Sequence, residues 1–560
     1  MPGCGPESDQ RRCGLTDCTF YARLLTFCNF SANRANFMRD LLGYAFLREH
    51  LNLHVLPVQA PAFLAPSARE IRETVAGKSI PPWVAPKSED PLEHLQFAIK
   101  HEGIDLSVLS QAIRKIAPAS LRDALREKPN SRPLRILGLL WEHCTREKMT
   151  DIPPVTTSSA PLFDPGRYLV ADPEKPSNRW RIQQNGLGTL DYLVTVRLTP
   201  EIQSLLQRDL LQEVRDALAN MNPVLLERTV SWAYLSDTKH SFAIERERLP
   251  EPKSLAYAQL LWASLQKPLA PWSEDALCAL QSGLLNHPMD RATGWRTGQN
   301  WLQNGLRGAL GVQYVPPGPE YLPRLMQDIG VLADTLGNRA DPLVAASIVS
   351  FAFVYAHPFW DGNGRMSRYL FHRTLAQSEA LEKGWILPVS IAMERNENRY
   401  LSALQSFSAP SRGMWEVCWI DGDQFSFRFL AEDDSLYRYW DATKVVQFGL
   451  EMGQESWDHD LLSEARFLAR YDAMEKVVRE QIDLRQSVQS FLIRHCLEQN
   501  GRISNNRRKQ FSGQVPEEAF AVIEQAWRET GSDALCSPEM QPSAEGEEDV
   551  KIRNVTPCCE

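Results

Sequence analysis

This sequence has no apolar run long enough to cross a membrane. Its longest, Leu343 to Ala356, falls short of the roughly twenty residues a bilayer demands, and no membrane partner is expected. No basic segment followed by an apolar one opens the chain, so no secretory signal is legible. Eleven cysteines are present, but no CxxC…CxxC spacing pairs them. Reduced thiols in a cytoplasmic protein are the simplest account of them. An excess of positive charge is missing too: a net charge of -9 and a pI of about 5.8 argue against a protein that coats nucleic acid. What is there is a chain of 560 residues, 43% hydrophobic, with room for several cores.

Taken in order, residues 1–37 hold Cys4, Cys13, Cys18 and Cys28 without periodicity and read as a disordered leader. Residues 38–150 read as an N-terminal helical module. It opens on Leu41, Leu42, Tyr44, Ala45 and Leu47, crosses a proline-rich link ending at Pro81 and Pro82, and continues as a helical block from Glu93 to Glu147. Residues 151–198 read as an extended connector, in which Arg179, Trp180 and Arg181 either pack or bind. Residues 199–250 open on an amphipathic helix from Pro200 through Leu218. A central domain is expected over 251–425, and a C-terminal hairpin and helical domain over 426–531. In the latter, runs at 425–429 and 436–440 read as a hairpin around Asp433 and Asp434. Helices then lead to a basic cluster, Arg507, Arg508 and Lys509, that reads either as a helix-turn-helix on DNA or as a solvated face beside an acidic flank. Residues 532–560 read as a disordered tail.

One stretch organises the rest: His357-Pro-Phe-Trp-Asp-Gly-Asn-Gly-Arg-Met-Ser-Arg368. A buried helix precedes it, with Asp341 as N-cap and Pro342 at its first position. Pro358 breaks the pattern, and a second helix then begins. Helix, tight polar loop, helix puts a helix N-terminus behind a glycine-lined hollow, where unpaired N–H groups and the helix dipole hold anions. Gly362 and Gly364 let a phosphate approach the main chain. Asp361 is a carboxylate for Mg²⁺, which takes one or two such ligands beside substrate phosphates. Arg365 and Arg368, three apart, share a helix face and form a fork for phosphate oxygens. His357 is the group able to take a proton near neutral pH. A helix-capping loop with solvated arginines is the bland alternative, and twelve such residues in a row argue against it.

His-Pro-Phe-x-Asp-Gly-Asn-Gly-Arg-x-x-Arg matches the active-site motif of the Fic (Fido) family at every defined position. The resemblance implies a mainly α fold, a Fic helical bundle with a short β-hairpin flap. Flanking it are the N-terminal helical module and a C-terminal helical domain, winged-helix-like in one version. It implies a protein adenylyltransferase: AMP moves from Mg·ATP to a Ser, Thr or Tyr hydroxyl of a target protein. His357 is then the base and Asp361 the Mg²⁺ ligand. Gly362, Asn363 and Gly364 cradle phosphate oxygens, and Arg365 and Arg368 anchor the terminal phosphates. A second stretch, Ser241-Phe-Ala-Ile-Glu245-Arg246, resembles the family's inhibitory motif [Ser/Thr]-x-x-x-Glu-[Gly/Asn], whose glutamate pairs with the second motif arginine, here Arg368. Arg246 departs from the pattern. Asn300, Trp301, Leu302, Gln303 and Asn304 fall at the expected tip of the flap, where the family pairs with an extended segment of its target. Tyr400 is an adenine-pocket candidate, with a core tyrosine as the plainer reading.

Two other readings use the same residues. One keeps the fold and changes the chemistry, to removal of AMP or transfer from another nucleotide donor. The other makes the chain a DNA-binding or scaffold protein with a vestigial site.

Overall fold

Aspartate, threonine or asparagine followed by proline starts four of the helices. Asp90 accepts from the Leu92 N–H, Thr199 from Ile202, Asn222 from Leu225, and Asp341 from Leu343 and Val344, each with proline just inside the helix. The structure, a computed structural model, describes residues 40–531 except 75, 174–177, 267, 268, 270, 286, 287 and 423. The expected leader and tail therefore lie outside the described residues. The fold is mainly helical, as expected, and divides into two units.

The first unit joins the residues up to Arg197 to Gln299–Pro317 and Phe407–Asp441. Helices Pro91–His101, Leu106–Lys115, Pro118–Glu127 and Arg132–Thr145 turn Leu95, Leu109, Ile113, Leu121 and Leu137 into one core. The proline-rich link proves to be a four-stranded sheet in the order Leu41–Leu42, Ala62–Leu64, Gly77–Ile80, Arg72–Thr74. Strands of two to four residues are too short to show a period of two. Helix Gly43–His50 starts after the first strand, later than the apolar pattern from Leu41 suggested. In the connector, Trp180 packs: its ring lies against Gly138 and its Nε1 donates to Glu142 at 2.8 Å. The C-terminal hairpin sits one strand earlier than expected, pairing Trp415–Asp421 with Gln424–Phe429. The second run is instead a helical turn, Ser435–Arg438, because Asp433 accepts from the Ser435 N–H and Asp434 pairs with Arg438. In the flap, Leu302–Gln303 pairs antiparallel with Val312–Tyr314.

The second unit holds Leu198–Gly298, Gly318–Ser406 and the residues from Ala442 on. At its centre runs Pro342–Ala356, buried on almost every side and packed on Leu322–Leu336, Asn363–Gln377 and Thr443–Glu455. The helix expected from Pro200 to Leu218 is two, Pro200–Leu206 and Leu210–Ala219, since Asp209 caps the second by accepting from Gln212. Helices Leu462–Gln481, Gln486–Glu498, Asn505–Phe511 and Glu517–Glu529 share a separate core around Met474, Leu492, Ile493 and Phe520. No strand occurs among the described residues after Phe429, so the winged-helix version has no wing here. In the basic cluster, Arg508 pairs with Glu524 and Arg507 stacks over Phe491, so both are committed within the domain.

Candidate active site

The helix Pro342–Ala356 ends because His357 adopts a left-handed backbone, φ 47°, while its N–H still bonds to Phe353. That cap throws the imidazole off the helix axis. Its Nδ1 lies 3.2 Å from the Val354 carbonyl, which fixes Nδ1 as the N–H and leaves Nε2 as the open lone pair. Burial, and the Arg296 guanidinium beside it, pull His357 down to about 4, so the ring is neutral at neutral pH. Arg296, buried, stitches the loop from beneath. Its Nε donates to the His357 carbonyl at 2.9 Å, and its own N–H to the Pro358 carbonyl at 2.8 Å.

The loop is closed by the Asn363 side chain. Its Oδ1 accepts from the Phe359 N–H at 3.0 Å and its Nδ2 donates to the Phe359 carbonyl at 2.8 Å. The amide is thus an internal clip, and any cradling at 363 falls to the backbone. Gly362 takes φ 81° to begin helix Asn363–Gln377, and the Asp361 carboxylate accepts its N–H at 2.6 Å. Buried Gln281 donates to the Asp361 carbonyl, bracing the loop from another helix.

Both motif arginines are almost wholly buried and both meet acids from the end of helix Pro223–Ile244. Arg368 donates Nε to the Ser241 hydroxyl at 2.8 Å, and Nη2 to the Ser241 carbonyl at 2.7 Å and to Glu245 at 2.8 Å. Arg365 reaches Glu247 at 3.2 Å and Asp361 at 3.3 Å, and lies over the Phe242 ring. Burial opposes ionisation of Glu245, yet Arg368 holds its carboxyl below the usual carboxylate range. Room for that carboxylate comes from Gly364: a methyl there would stand 2.0 Å from Glu245 Oε1. Helix Pro223–Ile244 is in turn fixed by Asp237, which bonds His372 at 2.9 Å and the Ser390 N–H at 2.9 Å. Arg246, the departure from the inhibitory pattern, sits at φ 60°. The pattern's glycine or asparagine is the pair of residues that tolerates this left-handed turn best.

The structure therefore brings His357, Asp361, Gly362, Gly364, Arg365, Arg368, Ser241 and Glu245 together. Tyr400 is buried against Phe351 and Phe448, with the Arg368 charge beside it; it is a packed ring at the edge of this set. In the first unit, Asn300 is buried, Trp301 packs on Phe425 and Phe427, and Leu302 and Gln303 are exposed. These residues and Asn304 form the first strand and its approach rather than the tip, which lies at 305–311. Sequence reasoning missed Glu247, Arg296 and Gln281. Glu247 was legible, two residues past Glu245; the others act across long separations that no local spacing records.

Residues 271–375 match the model of the Fic/DOC family. Among solved structures, the chain is similar to a Fic family protein from Desulfovibrio desulfuricans G20, at 21% identity and a TM-score of 0.34, covering 62% of this chain and 98% of that one. It is also similar to a Fic domain containing signaling protein from Bacteroides thetaiotaomicron, at 17% identity and a TM-score of 0.31, covering 47% and 95%. A third is Fic-1 from C. elegans, at 16% identity and a TM-score of 0.30, covering 66% and 87%. Domains of this family are generally transferases of nucleotidyl or phosphoryl groups onto proteins. The whole loop and both arginines lie inside the matched segment, so residues 271–375 of this chain are a Fic/DOC domain.

Proposed function

We propose that the chain transfers AMP from ATP to a hydroxyl side chain of a target protein, and that Glu245 holds the site off. The observation that supports this best is the hollow at Gly364, where one buried fork, Arg368, is filled by a carboxylate from the chain itself. A carboxylate and a phosphate present the same paired oxygens to a guanidinium, so one excludes the other.

In this reading the target hydroxyl approaches Nε2 of His357, which takes its proton as the oxygen attacks the α-phosphorus. The bond from that phosphorus to its bridging oxygen breaks, and pyrophosphate leaves against Arg365 and Arg368. Backbone N–H groups at the start of helix Asn363–Gln377 face the developing charge. Asp361 suits Mg²⁺: its side chain is half exposed, and no cluster of three or more ligating side chains forms among the described residues. A lone carboxylate is the donor set of a Mg²⁺ shared with substrate phosphates, where the ion neutralises phosphate charge. The pair Leu302–Gln303 and Val312–Tyr314 would take an extended target segment by strand addition.

The test is protein labelling with α-labelled ATP. Glu245→Gly should raise it and His357→Ala should abolish it. Unchanged labelling in Glu245→Gly removes the inhibitory role, and labelling from another nucleotide alone changes the donor.

A further inference from the structure

Far along the chain from the motif, the first unit contains a cavity of about 120 Å³. Three carboxyls line it, Glu102, Asp105 and Asp441, with two cations, Lys78 and Arg197. Both cations are engaged. Lys78 Nζ stands 2.8 Å from Glu73, and Arg197 Nε 3.4 Å from Asp441. Glu102 and Asp105 have no ion pair among the described residues. Glu102 Oε2 accepts from the Tyr44 N–H at 3.0 Å, but its buried Oε1 has no hydrogen-bond partner. Asp105 places Oδ1 on the N–H groups of Ser107 and Val108 and on the Ser107 hydroxyl, leaving Oδ2 over. Burial raises the Glu102 carboxyl to about 7 and pushes Asp105 up as well. The cavity is short of positive charge.

Four aromatic side chains, Tyr44, Tyr168, Tyr439 and Trp440, stand among its largely aliphatic walls, and the polar tips of three are already used. Tyr44 donates to the Gly103 carbonyl at 2.6 Å, Tyr439 to Leu190 at 2.7 Å, and Trp440 Nε1 to the Tyr192 hydroxyl at 3.0 Å. What these side chains have left to offer is ring and carbon. Rings combined with unpaired carboxyls are the donor set that recognises organic cations, and a pocket with a few convergent polar groups is how small ligands are held. We propose that this cavity binds an organic ammonium compound, with Glu102 and Asp105 as counter-charges and the aromatic side chains among its walls.

The full chain should be titrated calorimetrically with tetramethylammonium chloride and with butylammonium chloride. Sodium chloride at equal ionic strength and tert-butanol serve as controls for charge and shape. Saturable heat and a raised unfolding temperature are expected with an ammonium salt alone. Binding should weaken roughly tenfold in Glu102→Gln, and likewise in Asp105→Asn, which keeps the capping oxygen. The proposal fails if neither salt binds saturably, if tert-butanol binds as well, or if both variants, folded as judged by circular dichroism, bind with unchanged affinity.

Discussion

Position 246 shows how one backbone angle can set the strength of a regulatory contact. Arg246 turns the chain at φ 60° directly after Glu245, and its N–H bonds back to Ala243 at 2.8 Å. A left-handed turn costs an ordinary L-residue roughly 1 kcal/mol or more, and glycine almost nothing. Arg246→Gly should therefore hold Glu245 more firmly on Arg368 and lower basal labelling about fivefold, the factor that 1 kcal/mol commands. Higher labelling in Arg246→Gly would mean that the arginine side chain, not the turn, does the holding. His357 gives a second prediction at this scale. Burial and Arg296 lower its folded value to about 4, so protonation silences the base only below that. Because the folded value lies below the ordinary histidine range, the neutral form also adds stability that is complete above about pH 6.5 and fades as pH falls. In the Glu245→Gly chain, which lacks the carboxylate that raises His357, labelling should persist at pH 5 and fall off only below about 4, as a pH–rate profile would record.

Between elements, the loop 358–362 is held by three amide or guanidinium side chains from outside it, Asn363, Arg296 and Gln281, beside its own Asp361 carboxylate. Asn363→Ala removes both bonds of the clip. In a Glu245→Gly background it should cut labelling on the order of a hundredfold through misplacement of His357, with a stability loss of about 1–3 kcal/mol in urea unfolding. The contrast between loop and brace explains what could be read in advance. Chemistry packed into consecutive residues, from His357 to Arg368, was legible because each type sits at helix or turn spacing from the next. The Asp341–Pro342 pair announced its helix just as clearly. Arg296 was not legible as a brace, since it acts on a residue 61 positions away, and neither was the four-stranded sheet, whose strands are shorter than one readable period. The hairpin was placed one strand late because Phe425 to Phe429 alternates cleanly while its partner, Trp415–Asp421, does not.

At the scale of the molecule, the C-terminal helices stand apart by their core. Leu492 and Ile493 are wholly buried among side chains from 474 onward, and none of these belongs to the matched family segment. Leu492→Ala should cost about 2–5 kcal/mol by leaving a cavity. Calorimetry should show that loss in a transition of the C-terminal helices, while labelling in a Glu245→Gly background stays at its unmutated level. A single cooperative shift of the whole chain would show instead that its cores melt as one.

The absent methyl of Gly364 also has a meaning in terms of information. The hollow it leaves admits one pair of oxygens at a time, and the chain carries its own pair on Glu245. Under the proposed function the site therefore reads a ratio, nucleotide against tethered carboxylate, and not a concentration alone. Since the carboxylate never dilutes, the threshold of that reading is written in the geometry of one helix end. Any partner that shifts helix Pro223–Ile244 would rewrite the threshold without touching the nucleotide.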